Sequence, residues 1–509
     1  MNTSMFTPKD VDMISRTGLS VDEVMKQIGQ FNQGLQPMRL VRPCTVGDGI
    51  ITIPPEQRQK FMEAHDGAAS RGMMIKFVPA SGAASRMFKD WFALAGTADL
   101  KDSQSAEEFS ENLPRYPFYD DLKEALSRDG HDISLLMKER RFSTILSYIL
   151  LSEGLNYGHL PKAVLKFHAY KKHTRTALEE HLVEAARYVK DSEGICRIHL
   201  TLSPEHQSEV EHHISRVVKR YERLYGARFD IAISLQLPST DTIAVDMANR
   251  PFRDGEGNLV FRPGGHGSLL KNLNIINHDI IFIKNIDNVA PDRLKEDTIL
   301  FKKILGGYLV LLQDRIHSYV RDLEHKPVSD ETLAYAGAFC RNTLCASLPE
   351  NFEEFDRSRM IRFLLDRLNR PLRVCGMVRN AGEPGGGPFW VSRHGTMSIQ
   401  IIEQAQVDMT SDEQKRVWLS STHFNPVDIV CAVKDYRGNK FDLEAFVDTG
   451  AYFISEKSLE GKRLKALEHP GLWNGAMAGW NTIFVEVPIT TFSPVKTVHD
   501  LLRKEHLEL

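Results

Sequence analysis

Cysteine is scarce in this 509-residue chain: there are six, at positions 44, 196, 340, 345, 375 and 431. No two form a CxxC pair, and Cys340 and Cys345 stand without spaced partners, so neither a thiolate metal site nor a disulfide framework is indicated. Scattered cysteines in apolar stretches read as buried reduced thiols. No apolar run approaches the ~20 residues that a membrane-spanning helix needs. The opening MNTSMFTPKD has no apolar leader core. A soluble, cytoplasmic protein is expected. A surplus of either charge is also missing. Lys and Arg number 64 against 67 Asp and Glu, a formal net charge of −3, which excludes a global basic field for nucleic acid but leaves room for a local anion site.

What is present is ordinary globular material, 42% hydrophobic and 26% charged, in a chain long enough for roughly two to four domains, or for one large domain with insertions. Residues 1–70 read as helical and amphipathic, punctuated by Pro37, Pro43, Pro54 and Pro55. Short apolar runs follow, at 73–80, 195–202, 229–237, 279–285, 372–378, 428–433 and 482–487, alternating with helical stretches. That alternation predicts an α/β fold with a mostly parallel sheet flanked by helices. The stretches 96–155 and 291–370 are polar and read as helical insertions. Between them, residues 174–189 set Leu178, Leu182, Ala185 and Val189 on one helix face, with Thr176 and Glu179 at capping-box spacing. The expected division is an N-terminal segment 1–70, an α/β core 71–455 and a C-terminal segment 456–509 that completes it.

Ligands of open parallel sheets sit beyond the carboxyl ends of strands, and several unusual stretches fall there. Ser81-Gly82-Ala83-Ala84-Ser85-Arg86 follows the first apolar run. Small residues let backbone N–H groups approach an anion, and Arg86 and Lys89 add positive charge; such a turn is also ordinary packing. RPGGHG (262–267) precedes IIFIKNIDN (280–288). Its glycines would let backbone lie against a flat ring, and Asp287 could hold a hard cation that in turn holds phosphate oxygens. Equally, Asp287 could cap a turn and His266 be a hydrogen-bonded turn residue. Lys162 follows Pro161 and Lys496 follows Pro494-Val495, each in an apolar context, where a lysine either snorkels or aims at an anion.

Taken together and in order, ASGAASRMFK, LPKAVLKFH, RPGGHG, KNIDN, HFNPVD and SPVKTVHDLL resemble the eukaryotic-type UDP-sugar pyrophosphorylases. The match runs over roughly residues 73–502; PGGHG followed by NIDN, and the PVKT…DLL ending, are its specific parts. The chain as a whole also resembles an uncharacterised bacterial family of the same nucleotidyltransferase superfamily. The resemblance implies a Rossmann-like GT-A fold. It implies attack by a sugar 1-phosphate, with UTP as the expected nucleoside triphosphate, releasing pyrophosphate with Mg²⁺ as cofactor. By the same resemblance Asp287 holds the metal. Arg86 and Lys89 meet the β- and γ-phosphates, with backbone around Ser81, Gly82 and Ala83. Lys162 and Lys496 contact the phosphates of the two reactants. Gly264, Gly265, His266 and Gln236 face the base. Glu403 and Asn425 face the sugar, although an Asn before Pro is commonly a turn residue. Asp448 is a weaker candidate for a second metal ligand.

The chain departs from the family at Ser81 and Ala84, where the family has glycine, and at Ser268, where it usually has Asp. The family's Pro-Lys-Gly is Pro161-Lys162-Ala163 here. With seven residues after Leu502, the β-helical C-terminal domain of larger members is not expected. A non-catalytic nucleotide-binding protein on the same scaffold is the alternative reading.

Overall fold

A computed structural model describes residues 5–82, 84–95, 104–325, 327–382, 385–393 and 395–507. Two compact units share the chain, and neither is continuous in sequence. The first comprises Met1–His65, Gln236–Phe282 and Ile304–Val487; the second comprises Asp66–Leu235, Ile283–Lys303 and Pro488–Leu509. The strand Ile280–Lys284 carries the chain from one to the other. The fold is mixed α/β, with mostly parallel central strands and flanking helices. Among the described residues no helix is long and apolar enough to cross a membrane.

In the first unit Thr45–Val46, Gly49–Ile51, Asn481–Glu486 and Leu372–Arg379 run parallel in that order. Asp428–Ala432 then pairs antiparallel with Leu372–Arg379. The chain also forms two antiparallel sheets that the apolar runs do not announce. One joins Arg39–Pro43, Gly387–Arg393 and Thr396–Ile402; the other joins Phe261–Pro263, Asp241–Val245, Lys462–Glu468 and Phe453–Leu459. Their strands are short or mix buried with half-buried and exposed residues, as in Lys462–Glu468 and Phe453–Leu459, so no long apolar run marks them. The first 70 residues are accordingly not wholly helical. Helices Pro8–Thr17, Val21–Gln33 and Pro55–Ser70 flank strands between 39 and 51. Ile14, Val24, Ile28 and Phe31 of the first two helices pack on Ile243, Val245 and Leu467 of the four-stranded sheet.

In the second unit Met74–Pro79, Ile195–Leu202 and Arg228–Leu235 are parallel neighbours. Every residue of Met74–Pro79 is buried, as expected for a strand covered on both faces, whereas Arg228–Leu235 alternates. Ala177–Tyr188 is a helix opened by a capping box in which Thr176 and Glu179 bond reciprocally. Leu178, Leu182, Ala185 and Val189 are buried as their spacing predicts, but so are Glu180, His181 and Glu184 on the polar face. That face meets lysines rather than water. The 291–370 stretch is helical, with Asp292–Glu324, Asp330–Asn342 and Arg357–Leu368. The 96–155 stretch is helical where described.

Candidate functional site

Three parts of the second unit converge on one carboxylate. Asp287 stands past the end of Ile280–Lys284 and is buried. Lys162 opens a short 3-10 turn, Lys162–Val164. Its Nζ donates to Asp287 Oδ2 at 2.9 Å and to the Val495 carbonyl at 2.8 Å. Lys496 Nζ lies 3.1 Å from Asp287 Oδ1 and 3.0 Å from Oδ2. Burial opposes ionisation of Asp287, but the two ammonium groups outweigh it and hold the carboxyl below the usual carboxylate range. The cluster carries one surplus positive charge. Lys162 is buried, while the Lys496 side chain is 52% exposed.

Backbone holds the three in register. Val495 N–H donates to the Asp287 carbonyl, and Ser493 N–H to the Asn288 side chain. The amides of Lys496 and Thr497 both donate to Asp500, which caps the Val498–Leu502 turn. This is the structural work of the PVKT…D pattern. On the other side, Ile286 N–H donates to the Pro79 carbonyl, and the His181 ring meets the Ile286 carbonyl at 3.2 Å.

The small-residue loop after Met74–Pro79 is tied to the same segments. Lys162 N–H donates to the Gly82 carbonyl, Ala84 N–H to the Leu160 carbonyl, and Ser203 Oγ to the Ser81 carbonyl. Gly82 is exposed, and a side chain there would meet nothing within 4 Å. Ala84 is buried, and its amide is already used within the protein. Arg86 and Lys89 are exposed and make no ion pair among the described residues. Ala83 lies outside those residues. A 3-10 turn at Ala84–Arg86 precedes the helix Lys89–Ala95.

The remaining candidates lie in the first unit. The PGGHG glycines there answer to close packing. A Cβ on Gly264 would stand 2.4 Å from the Thr240 carbonyl oxygen, one on Gly265 2.7 Å from Glu468, and one on Gly267 2.3 Å from the Pro470 carbonyl oxygen. His266 is held more specifically. Leu472 N–H donates to its Nδ1 at 3.0 Å, which leaves the proton on Nε2, 3.4 Å from Glu403 Oε1. Its ring stacks on Trp473, centroids 4.2 Å apart. The expected base and sugar residues His266 and Glu403 are therefore neighbours, and Trp473 joins them unannounced. Gln236 is half-buried just beyond the Arg228–Leu235 strand. The Asn425 side chain serves its own turn: Oδ1 accepts from Val427 N–H at 2.8 Å, and Nδ2 donates to the Gly376 carbonyl at 3.4 Å. Asp448 is taken by Arg393, at 2.6 Å, and by the Gly450 amide.

For the expected Mg²⁺, no group of three or more His, Cys, Asp or Glu side chains among the described residues could hold a metal. Asp287 is a lone carboxylate already shared by two cations. Those donors do not make a protein-only cage. They do fit a cation held by one carboxylate and completed by ligand oxygens, with the half-exposed Lys496 moving aside.

A second layer was absent from the sequence reading. Glu184 receives Lys76 and Lys284, each at 2.7 Å, and all three are buried. Glu180 receives Lys295 at 2.7 Å, His168 at 2.9 Å and Tyr170 at 2.7 Å. Burial, partly offset by Glu184, brings Lys76 down to about 7. A signal existed: a lysine inside each of two otherwise apolar strands, MMIKFVPA and IIFIKN.

These features define a mixed α/β protein with a buried, cation-rich carboxylate cluster. The chain belongs to the family described as "Domain of unknown function (DUF4301)", whose model matches residues 7–507. No curated protein matches it. Among solved structures it is similar to the UDP-glucose pyrophosphorylase of Leishmania major, at 13% identity and a TM-score of 0.45, over 97% of this chain and 77% of that one. It is similar to a UDP-glucose phosphorylase of Trypanosoma brucei, at 12% identity and 0.47, over 97% and 77%. The uridine diphosphate N-acetylglucosamine pyrophosphorylase of Trypanosoma brucei is similar at 12% identity and 0.47, over 95% and 74%.

Proposed function

We propose that this protein is a nucleotidyltransferase that joins a sugar 1-phosphate to a nucleoside triphosphate, UTP in the first instance, giving a nucleotide sugar and pyrophosphate. The observation that carries the reading is the pair of ammonium groups, from Lys162 and Lys496, on the single carboxylate of Asp287. One carboxylate cannot neutralise two lysines, so the cluster presents net positive charge. Lys496 is its exposed member.

The chemistry is displacement at the α-phosphorus by a sugar-phosphate oxygen, with the P–O bond to pyrophosphate breaking. Two anions must be aligned and their spreading charge neutralised; no protein nucleophile is required. Lys162, fixed by Asp287 and the Val495 carbonyl, is a preorganised cation. Lys496 can leave Asp287 for a phosphate oxygen. Arg86 and Lys89, exposed beside open Gly82, suit the distal phosphates. Mg²⁺, when bound to Asp287 and ligand oxygens, would supply further neutralisation. In the first unit, the His266–Trp473 stack with Glu403 offers a ring face and a hydrogen-bonding pair suited to a heterocycle or sugar hydroxyls.

The Ala84 amide, already given to Leu160, favours a second reading, a nucleotide-binding protein without turnover. Purified protein with Mg²⁺, the four nucleoside triphosphates and a panel of sugar 1-phosphates separates the two. Pyrophosphate release that falls at least ~100-fold in Asp287→Ala and Lys496→Ala, as when a charge-stabilising group is removed, supports the enzyme. Ligand-induced thermal stabilisation without release in any combination supports the binder.

A further inference from the structure

The first unit holds a polar cavity of about 720 Å³ that the function above does not use. Residues 366–370, on one wall, end the helix Arg357–Leu368 and lead into Leu372–Arg379. Ala478 and Gly479, on another, lead into Asn481–Glu486. Those two strands pair in parallel, Leu372 beside Asn481, so the cavity borders their amino ends. The turn end of the hairpin Gly387–Arg393 and Thr396–Ile402 and the loop 445–449 complete it. Reactants of such sheets gather at the carboxyl ends, and the chain runs on to Lys496 from the carboxyl end of Asn481–Glu486. This cavity is at the opposite end of that strand.

Its charges do not balance. Arg370 is bound to Asp366, Nη2 to Oδ2 at 2.6 Å, and donates to the Gly479 carbonyl. Arg393 stands 2.6 Å from Asp448. Arg367 makes no ion pair among the described residues, and its Nε is buried without an acceptor. A place in the last helical turn suits a cation, but it gives that Nε nothing to bond. Gln400, which also lines the cavity, accepts from a fourth guanidinium. Arg373 is fully buried, and its hydrogen-bond partners among the described residues are neutral: Thr482 Oγ1 at 2.8 Å, the Trp473 carbonyl at 2.7 Å and Gln400 Oε1 at 3.4 Å. Four guanidinium groups thus face two carboxylates. Unpaired buried charge is costly, and a dianion is what would offset this surplus.

We propose that this cavity is a second anion site, and that it binds a small phosphate monoester with a hydroxylated body. The phosphate takes the unused N–H groups of Arg367 and those left over on Arg370 and Arg393, an arrangement to which planar guanidinium forks are suited. Arg373 adds its charge through Gln400. The volume is larger than a bare phosphate fills and falls within the range of small-molecule sites. The Ser398 hydroxyl, beside Gln400 at 3.2 Å, suits the hydroxyls of the ester's body. The assignment does not rest on the function proposed above.

The test uses the full chain and glycerol phosphate as the probe. Calorimetry should show glycerol phosphate binding without added metal, and hydrogen exchange should slow in 366–370 and 396–400 when it binds. Arg367→Gln should weaken binding roughly 10-fold, the scale of one hydrogen bond to a charged group. Thr449→Trp, which fills the cavity from its exposed wall, should abolish binding, and it decides the matter if Arg367→Gln does not fold. Inorganic phosphate should bind more weakly than the ester, and succinate more weakly still. No binding of glycerol phosphate at millimolar concentration, unchanged affinity in Arg367→Gln, or succinate bound as tightly as the ester would overturn the proposal. So would protection that appears around Lys162 and Lys496 instead, since the ester would then occupy the reactant site. Pyrophosphate binding should be equal in wild type and Arg367→Gln; a wild-type chain that binds no pyrophosphate counts against the function and leaves this site standing.

Discussion

Lys162 and Lys496 reach the same carboxylate from distant parts of the chain, at 2.9 and 3.0 Å from Asp287 Oδ2. The two cations are not equivalent. Lys162 is enclosed and also bound to the Val495 carbonyl, while Lys496 is half-open to water. Removing Asp287 leaves a buried ammonium uncompensated, whereas removing Lys496 leaves a satisfied pair. Asp287→Ala should lower stability by about 3 kcal/mol, the scale of a broken buried pair. Lys496→Ala should cost under ~1 kcal/mol. Urea denaturation checks both, and equal losses would contradict the asymmetry.

Stability should fall on acidification, for a reason that can be signed. Burial brings His199 down to about 4 and, with His168 nearby, His506 down to about 3. Below their ordinary value of 6.5 the unfolded chain binds protons that the folded chain refuses. Their contribution is therefore complete above pH 6.5 and declines toward pH 4 and 3. Asp287 adds a later loss: its folded value lies below 3.8, so its contribution is present above 3.8 and disappears as pH falls through the folded value. Urea midpoints across this range should decline, and His199→Gln, which cannot titrate, should flatten the upper part.

Glu184 holds two buried lysines, so Glu184→Gln should be among the most damaging single changes in the second unit. Lys76 and Lys284 would share a neutral amide, at a cost of about 3–5 kcal/mol. A loss below ~1 kcal/mol by chemical denaturation would mean that the network is not held as described.

Two glycines make opposite predictions. At Gly264 a methyl group would meet the Thr240 carbonyl oxygen at 2.4 Å, so Gly264→Ala should destabilise by ~1–3 kcal/mol, as overpacking does. At Gly82 it would meet nothing within 4 Å, and Gly82→Ala should leave the thermal midpoint unchanged. If the Gly82 backbone faces phosphate, the same substitution should weaken pyrophosphate binding, measured by calorimetry.

Much of the architecture was legible because apolar runs report burial on both faces. The strands predicted at 195–202 and 372–378 are Ile195–Leu202 and Leu372–Arg379, and the Thr176–Glu179 capping box is local enough to read from spacing alone. The two antiparallel sheets were not legible, since their strands are short or mix polar with apolar residues, and pairs such as Arg39–Pro43 with Gly387–Arg393 join distant parts of the chain. The glycines of PGGHG carried an ambiguous signal: conformational freedom looks alike whether a ligand or another part of the chain lies close, and here Thr240, Glu468 and Pro470 do.

The residues that make a lysine or a carboxylate unusual are spelled out locally. Lys162 after Pro161, Lys496 after Pro494-Val495, Asp287 at a strand end and the PVKT turn were all visible in the chain, because short-range sterics and caps set them. Tertiary structure alone decided that both ammonium groups settle on one carboxylate, that the polar face of the Ala177–Tyr188 helix is buried against lysines, and that His168 finds His506. Pairing between distant charges depends on which chain segments fold side by side, and no spacing in a linear sequence encodes that distance.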